Sequence, residues 1–188
     1  MAEDQVSINR APVMALWGAV VAARLGYDWE ASLTLGKTMA GLNAQAKGRR
    51  LGVFGPPKGP EEGGPPRKTG LGEEFWVPLC GRSIPAKQTE AGVRAVTGDK
   101  PVDPSSVTRY LESKFGESLP RVRQAMEELA AAYAPEDLAE VAYGLYERFR
   151  PAIEPGKGGW GQKGTLDLDL IRGLGRDAQG AGGAAKQA

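Results

Sequence analysis

The side chains that most enzymes use as nucleophiles, general bases or soft metal ligands are almost missing from this chain. Its 188 residues include no histidine and one cysteine, Cys80. A Ser-His-Asp or Cys-His arrangement needs an imidazole, and a structural zinc site needs cysteine and histidine ligands. Carboxylate or tyrosine chemistry stays open, but no acid–base pair stands out. We therefore predict no catalytic residue, no metal site and no cofactor, and the residues favour a non-enzymatic binding protein.

A segment that carries basic but no acidic side chains is the clearest indication of a binding site. Residues 37–58 contain lysines and arginines but no acidic residue. Asn43, Lys47 and Arg50 are spaced i, i+4 and i+7, so a helix would bring them to one face. Basic and amide side chains on a helix are a common means of contacting phosphates and base edges. The predicted nucleic-acid-binding residues, for DNA or RNA, are Lys37, Asn43, Lys47, Arg49 and Arg50. The alternative is a solvated helix end, where the helix dipole alone favours cations.

The triplet Gly36-Lys37-Thr38 resembles the end of a phosphate-binding P-loop. That motif needs a glycine five positions before Gly36, where this chain has Ala31. It also needs a glycine-rich loop after a strand, whereas here the triplet falls inside a helical pattern. We therefore interpret Lys37 as a lysine on a helix surface.

The basic segment belongs to a predicted N-terminal helical hairpin. Asn9 is a suitable N-cap for a first helix that ends near Leu25, with Gly26 beyond it. Asp28 can cap a second helix that ends near Gly48. Two helices joined by a short glycine-containing turn resemble a helix-turn-helix. Because the second helix opens on acidic residues, which phosphates repel, any nucleic-acid contact is expected at its far end.

The rest of the chain predicts a small antiparallel sheet followed by helices. Apolar runs flank Cys80-Gly81 as a strand pair, with prolines that favour edge strands, and further short strands reach residue 102. Helices are predicted over 104–115, 119–133 and 135–150, the first with Tyr110 on its buried side, and a last short helix over 166–174. The fold class is therefore mainly α with a small antiparallel β insert (α+β).

Composition divides the chain into ordered blocks and flexible ones. Residues 1–54 form the hairpin with a short strand at 51–54, and residues 55–70 read as a disordered linker of Gly, Pro and charge. Residues 71–174 hold the sheet and the later helices, which we expect to pack with 1–54 as one domain. Residues 175–188 are expected to be a disordered tail.

A second functional hypothesis is a protein-interaction or self-associating module. The second helix carries small residues, Gly36, Ala40, Gly41 and Ala44, that allow another helix to approach closely. The formal net charge is +1, which gives little long-range attraction for a polyanion. The partner is then a second copy of the chain or another protein, with no role for nucleic acid.

The sequence also predicts where the protein resides. A single cysteine cannot form an internal disulfide, and no apolar stretch is long enough to cross a bilayer. We therefore expect a cytoplasmic protein without a membrane partner.

Three blocks carry a resemblance to other proteins. Residues 6–54, beginning VSINRAPVMALWG, residues 109–116, RYLESKFG, and residues 158–174 resemble a set of uncharacterised bacterial proteins. These blocks cover a little under half of the chain. The resemblance implies a bacterial cytoplasmic origin and carries over no activity, ligand or catalytic residue.

Overall fold

A computed structural model describes residues 5–50, 74–97, 100–152 and 163–187, with the backbone alone for 44–50 and 180–187. The elements in chain order are β1 (Gln5–Ile8), α1 (Arg10–Arg24), α2 (Trp29–Arg50), β2 (Glu74–Leu79), β3 (Arg82–Thr89), β4 (Gly92–Thr97), β5 (Lys100–Pro101), α3 (Pro104–Phe115), a 3₁₀ turn (Gly116–Ser118), α4 (Leu119–Ala131), α5 (Pro135–Phe149), β6 (Gly164–Asp167) and α6 (Leu168–Gln187). The fold is mainly helical with a small antiparallel sheet, which confirms the predicted class.

Helix α1 is the centre of the core. Residues 12–22 are all buried, and the helix contacts α2, α3, α4 and α5. A helix that is apolar on all sides is stable only when it is covered on all sides. Trp17 shows the consequence, since its Nε1–H donates a hydrogen bond of 2.9 Å to the backbone oxygen of Ala142 in α5.

Local signals set the turn between the two helices of the N-terminal hairpin, as predicted. Gly26 has φ +117°, a left-handed conformation that suits glycine after a helix. The Asp28 Oδ1 atom accepts a hydrogen bond of 2.8 Å from the Ala31 N–H and caps α2. The far end was predicted wrongly, because α2 continues through Gly48 to Arg50. One glycine costs a helix about 1 kcal/mol, which packing earlier in the helix can offset.

The sheet has the order β2-β3-β4-β5 and is antiparallel throughout. Cys80 and Gly81 form the two-residue turn between β2 and β3, with φ values of 49° and 78° that match the positive values of a type I′ hairpin. Pro78 lies on the edge strand β2, as predicted. Pro85 lies on the inner strand β3, but the ladder with β4 begins one residue later, at Ala86. The missing N–H of Pro85 is therefore tolerated.

The later helices begin at their predicted signals and end at or within two residues of them. The Asp103 Oδ1 atom accepts a hydrogen bond of 2.9 Å from the Ser105 N–H, Pro104 occupies the first turn of α3, and Gly116 follows the helix with φ +57°. Helix α4 ends at Ala131, two residues before the predicted end, and α5 ends before Pro151.

Two features near the chain ends differ from the prediction. Strands β1 and β6, which the sequence analysis missed, pair antiparallel, with Val6 opposite Leu166. The last helix therefore begins at Leu168, and it continues to Gln187 where a disordered tail was predicted. Its alanines favour extension once the first turns have formed. The predicted strand at 51–54, the linker at 55–70 and the turn at 98–99 lie outside the described residues.

Two threonines one turn apart on α2 have opposite hydrogen-bonding states. The Thr34 hydroxyl accepts a bond of 2.9 Å from the buried Ala95 N–H of β4 and donates one of 2.8 Å to the Ala31 oxygen. The Thr38 hydroxyl is buried and has no partner among the described residues. The first therefore joins α2 to the sheet, and the second is an unsatisfied polar group.

We expect the same substitution at these positions to change stability in different directions. Thr34→Val leaves the Ala95 N–H without its acceptor, which we expect to cost about 1–3 kcal/mol. Thr38→Val removes an unsatisfied hydroxyl, so the free energy of unfolding should stay level or rise by up to about 1 kcal/mol. Urea denaturation of both variants measures the difference. A loss at Thr38 equal to that at Thr34 would contradict this reading of the Thr38 hydroxyl.

Candidate nucleic-acid interface

Helices α2 and α3 bring two lysines to one aromatic ring. The Lys37 Nζ atom lies 4.6 Å from the centroid of the Tyr110 ring, and the Lys114 Nζ atom lies 5.9 Å from it. Tyr110 and Lys114 are four residues apart on α3, so they share a face of that helix. Both distances fall within the range of cation–π contacts. We call these three residues the Lys-Tyr-Lys cluster.

The positive charge of the cluster is not neutralised inside the described structure. Neither ammonium group lies within 4.0 Å of a carboxylate oxygen of any described residue. Burial raises the pKa of the Tyr110 phenol above its ordinary value, so the ring stays uncharged at neutral pH. The cluster therefore offers two cations and a half-buried ring to an anionic partner.

A groove of about 440 Å³ adjoins the cluster between α2, strands β3 and β4, and the start of α3. We call it the α2–β4 groove. Its apolar wall consists of Leu42, Pro85, Val96 and Val102. Thr38, Thr97 and Ser106 are the hydroxyl-bearing residues of the lining, of which the Thr38 hydroxyl is itself buried, and Gly41 contributes no side chain. Lys37 lines the groove, and its Nζ atom lies over Tyr110, so one residue belongs to both features.

Of the five predicted binding residues, the structure describes the side chains of Lys37 and Asn43 and places them on different faces of α2. Lys37 and Asn43 are six positions apart on α2, a rotation of about 240°, and only Lys37 belongs to the cluster. Asn43 is 6% exposed, and its Oδ1 atom accepts a hydrogen bond of 3.3 Å from Arg82 Nη2. Asn43 thus holds the start of β3 and is not presented to a ligand. For the predicted positions Lys47, Arg49 and Arg50, the structure gives only their place on the last turns of α2.

Sequence reasoning missed Tyr110 and Lys114. It assigned Tyr110 to the buried face of α3, whereas the side chain is half-buried at the boundary between core and solvent. The i, i+4 spacing of Tyr110 and Lys114 was a local signal for the α3 half of the cluster. No sequence signal indicates that Lys37, more than seventy positions away, completes it.

The described residues contain no strong alternative chemistry. Burial raises the pKa of the Cys80 thiol to about 12, so it stays protonated and a poor nucleophile near neutral pH. Among these residues no group of three or more carboxylate, cysteine or histidine side chains is placed to hold a metal ion. In the same ranges, no helix combines the length and apolar character needed to cross a membrane.

No protein-family model matches this chain, and no curated protein or solved structure matches it. The function is therefore proposed from the geometry and charge of the chain itself.

Proposed function

We propose that this protein is a non-enzymatic nucleic-acid-binding module that uses the seam between α2 and α3. The observation that carries the proposal is the Lys-Tyr-Lys cluster, in which two cations without a carboxylate partner among the described residues lie near an uncharged, half-buried ring. Cations beside aromatic rings are the usual features of surfaces that follow a nucleic-acid backbone. The basic residues predicted from the sequence, Lys47, Arg49 and Arg50, lie on the last turns of the same helix.

The spacing along α2 suits a polyanion. Ten residues of helix separate Lys37 from position 47, a rise of about 15 Å. Phosphates repeat about every 3.4 Å along one strand of a duplex, so this distance spans roughly four of them. A small anion would use only one end of such a surface. The length of the basic segment therefore favours a nucleic acid over a single phosphate or carboxylate.

The competing hypothesis of a self-associating or protein-binding module has less support. Gly36, the first of the small residues that suggested a helix partner, already faces α1 of the same chain. Large apolar side chains exposed in the described ranges are limited to Val141 and Leu170, which lie on different helices. A large contiguous apolar patch is one mark of a surface for protein partners, and the described residues show none. The described surface therefore favours the nucleic-acid hypothesis.

We expect charge reversal in the cluster to weaken binding in a salt-dependent way. The test is the affinity of the full chain for a labelled mixed-sequence DNA or RNA strand across a salt series. If Lys37 and Lys114 each contact one phosphate, the Lys37→Glu/Lys114→Glu variant makes the slope of log K against log salt less negative by roughly 1.4 to 1.8. A separate variant reversing Lys47, Arg49 and Arg50 tests the extension along α2.

Arg148→Glu is the matched control. Arg148 is exposed on α5, a helix that packs on α1, so reversing it changes the net charge away from the seam by the same amount as one lysine reversal in the cluster, which is half the change in the double variant. The control is expected to bind with nearly the native slope. Native protein that shows no salt-dependent binding, or cluster and control variants that behave alike, would overturn the proposal.

A further inference from the structure

The phosphate contacts proposed above do not use the α2–β4 groove, although Lys37 lines it. We infer that it receives one unpaired base of the bound strand, so that the nucleic acid recognised is single-stranded. This inference rests on the proposed function and adds the class of nucleic acid and the site at which a base is held.

The size and walls of the groove suit a base. Its volume of about 440 Å³ lies within the range of small-molecule pockets, about 300–1,000 Å³. Leu42, Val96 and Val102 supply apolar surface of the kind that contacts the faces of bases removed from a stack. The groove is open on one side, which allows a base to enter while its sugar and phosphate stay outside.

Hydroxyl groups line the groove where the edge of a base can form hydrogen bonds. The Thr38 hydroxyl is buried and has no partner among the described residues, so the side chain must rotate to meet a base but breaks no bond to them when it does. Thr97 is exposed at the end of β4. The Ser106 hydroxyl already donates a bond of 2.6 Å to the Asp103 oxygen, which leaves its oxygen to accept from a base. A hydroxyl whose hydrogen is not already used can both donate and accept, so a lining of this kind tolerates different bases.

The position of Lys37 links the groove to the strand outside it. This lysine lines the groove and also lies over Tyr110, where Lys114 is the next cation. A base in the groove would therefore leave its phosphates close to the Lys-Tyr-Lys cluster. A base paired within a duplex has its faces covered by stacking and cannot enter. Single strands are thus expected to bind more tightly than duplexes.

Filling the groove tests this inference. Gly41 lines it, and a Cβ atom built on Gly41 meets nothing within 4 Å, so Gly41→Leu fills space without a clash at the backbone. Gly144→Leu on α5 is the matched control, because its Cβ also meets nothing within 4 Å. Thr97→Phe, at a strand position that tolerates aromatic residues, narrows the groove from the opposite wall as a second variant. Thermal unfolding establishes that each variant is folded.

The probe is a labelled mixed-sequence DNA strand of about 16 nucleotides, alone and as a duplex. We expect Gly41→Leu to weaken single-strand binding about tenfold, with the salt slope unchanged, since one base contact is lost and no phosphate contact. Duplex binding and the Gly144→Leu control should stay at native levels. Equal native affinity for strand and duplex, or filled variants that bind the strand as tightly as the native chain, would overturn the inference while the proposed function stands. Absence of salt-dependent binding to either probe would instead overturn the proposed function.

Discussion

Gly36→Ala is expected to destabilise the protein by about 3 kcal/mol or more, although alanine is the better helix former. A Cβ atom on Gly36 would lie 2.5 Å from the backbone nitrogen of Ala19 and closer still to the backbone oxygen of Ala15. These are backbone atoms of α1, so no side chain can move aside. The two helices would have to separate, which would loosen a core built around α1. Urea denaturation with a two-state fit measures the loss.

Gly41→Ala is the internal control for Gly36→Ala. It lies in the same helix, and its added Cβ meets nothing within 4 Å. Here the helix propensity of alanine is unopposed, so the free energy of unfolding is expected to rise by about 0.5–1 kcal/mol. Opposite signs at the two glycines would show that the approach of the helices, and not propensity, controls the effect. A Gly36→Ala variant as stable as the native chain would show that the helices are not in this close contact.

Trp17→Ala is expected to cost about 3–5 kcal/mol, the usual range for removing a large buried aromatic side chain. Trp17 is fully buried, and its ring meets that of Phe149 edge to face, with centroids 5.2 Å apart and planes at 89°. Its Nε1–H also ties α1 to α5 through the Ala142 oxygen. The substitution would therefore remove apolar contact area, an aromatic pair and a buried hydrogen bond together.

Trp17→Phe separates these contributions. It keeps an aromatic ring near Phe149 but loses the N–H group and part of the volume. We expect a loss clearly smaller than that of Trp17→Ala, again measured as the free energy of unfolding in urea. If the two variants lost the same free energy of unfolding, the lost hydrogen bond would account for most of the effect. The assignment of the effect to packing would then be wrong.

Helix ends and hairpin turns were predictable because their causes lie within a few residues of each other. Gly26 and Gly116 have positive φ values after helices, and Asp28 and Asp103 cap the helices that follow them. These signals depend on backbone sterics and on N–H groups at helix starts, which are present in any tertiary context. The mainly helical class and the order of most elements followed from such local features.

Pairings between distant parts of the chain were missed or misplaced. Strands β1 and β6 are four residues each and become strands by pairing across about 160 positions, so neither carries a pattern of its own. Asn43 looked like a ligand contact because of its spacing from Lys47, but its partner is Arg82 on β3. Helical period gives the face on which a residue lies, and it does not say whether that face meets solvent or a sheet.

The candidate site was also predictable from the sequence only in part. Composition alone excluded imidazole and zinc–cysteine chemistry. The run of basic residues without acids identified Lys37 as a candidate. Both inferences depend only on which residues are present. Pairing Lys37 with Tyr110 and Lys114 required α2 to pack on α3, and the groove required the sheet to lie beside them. Packing between distant segments is a collective result of burying the whole apolar surface, and no short stretch of residues encodes it.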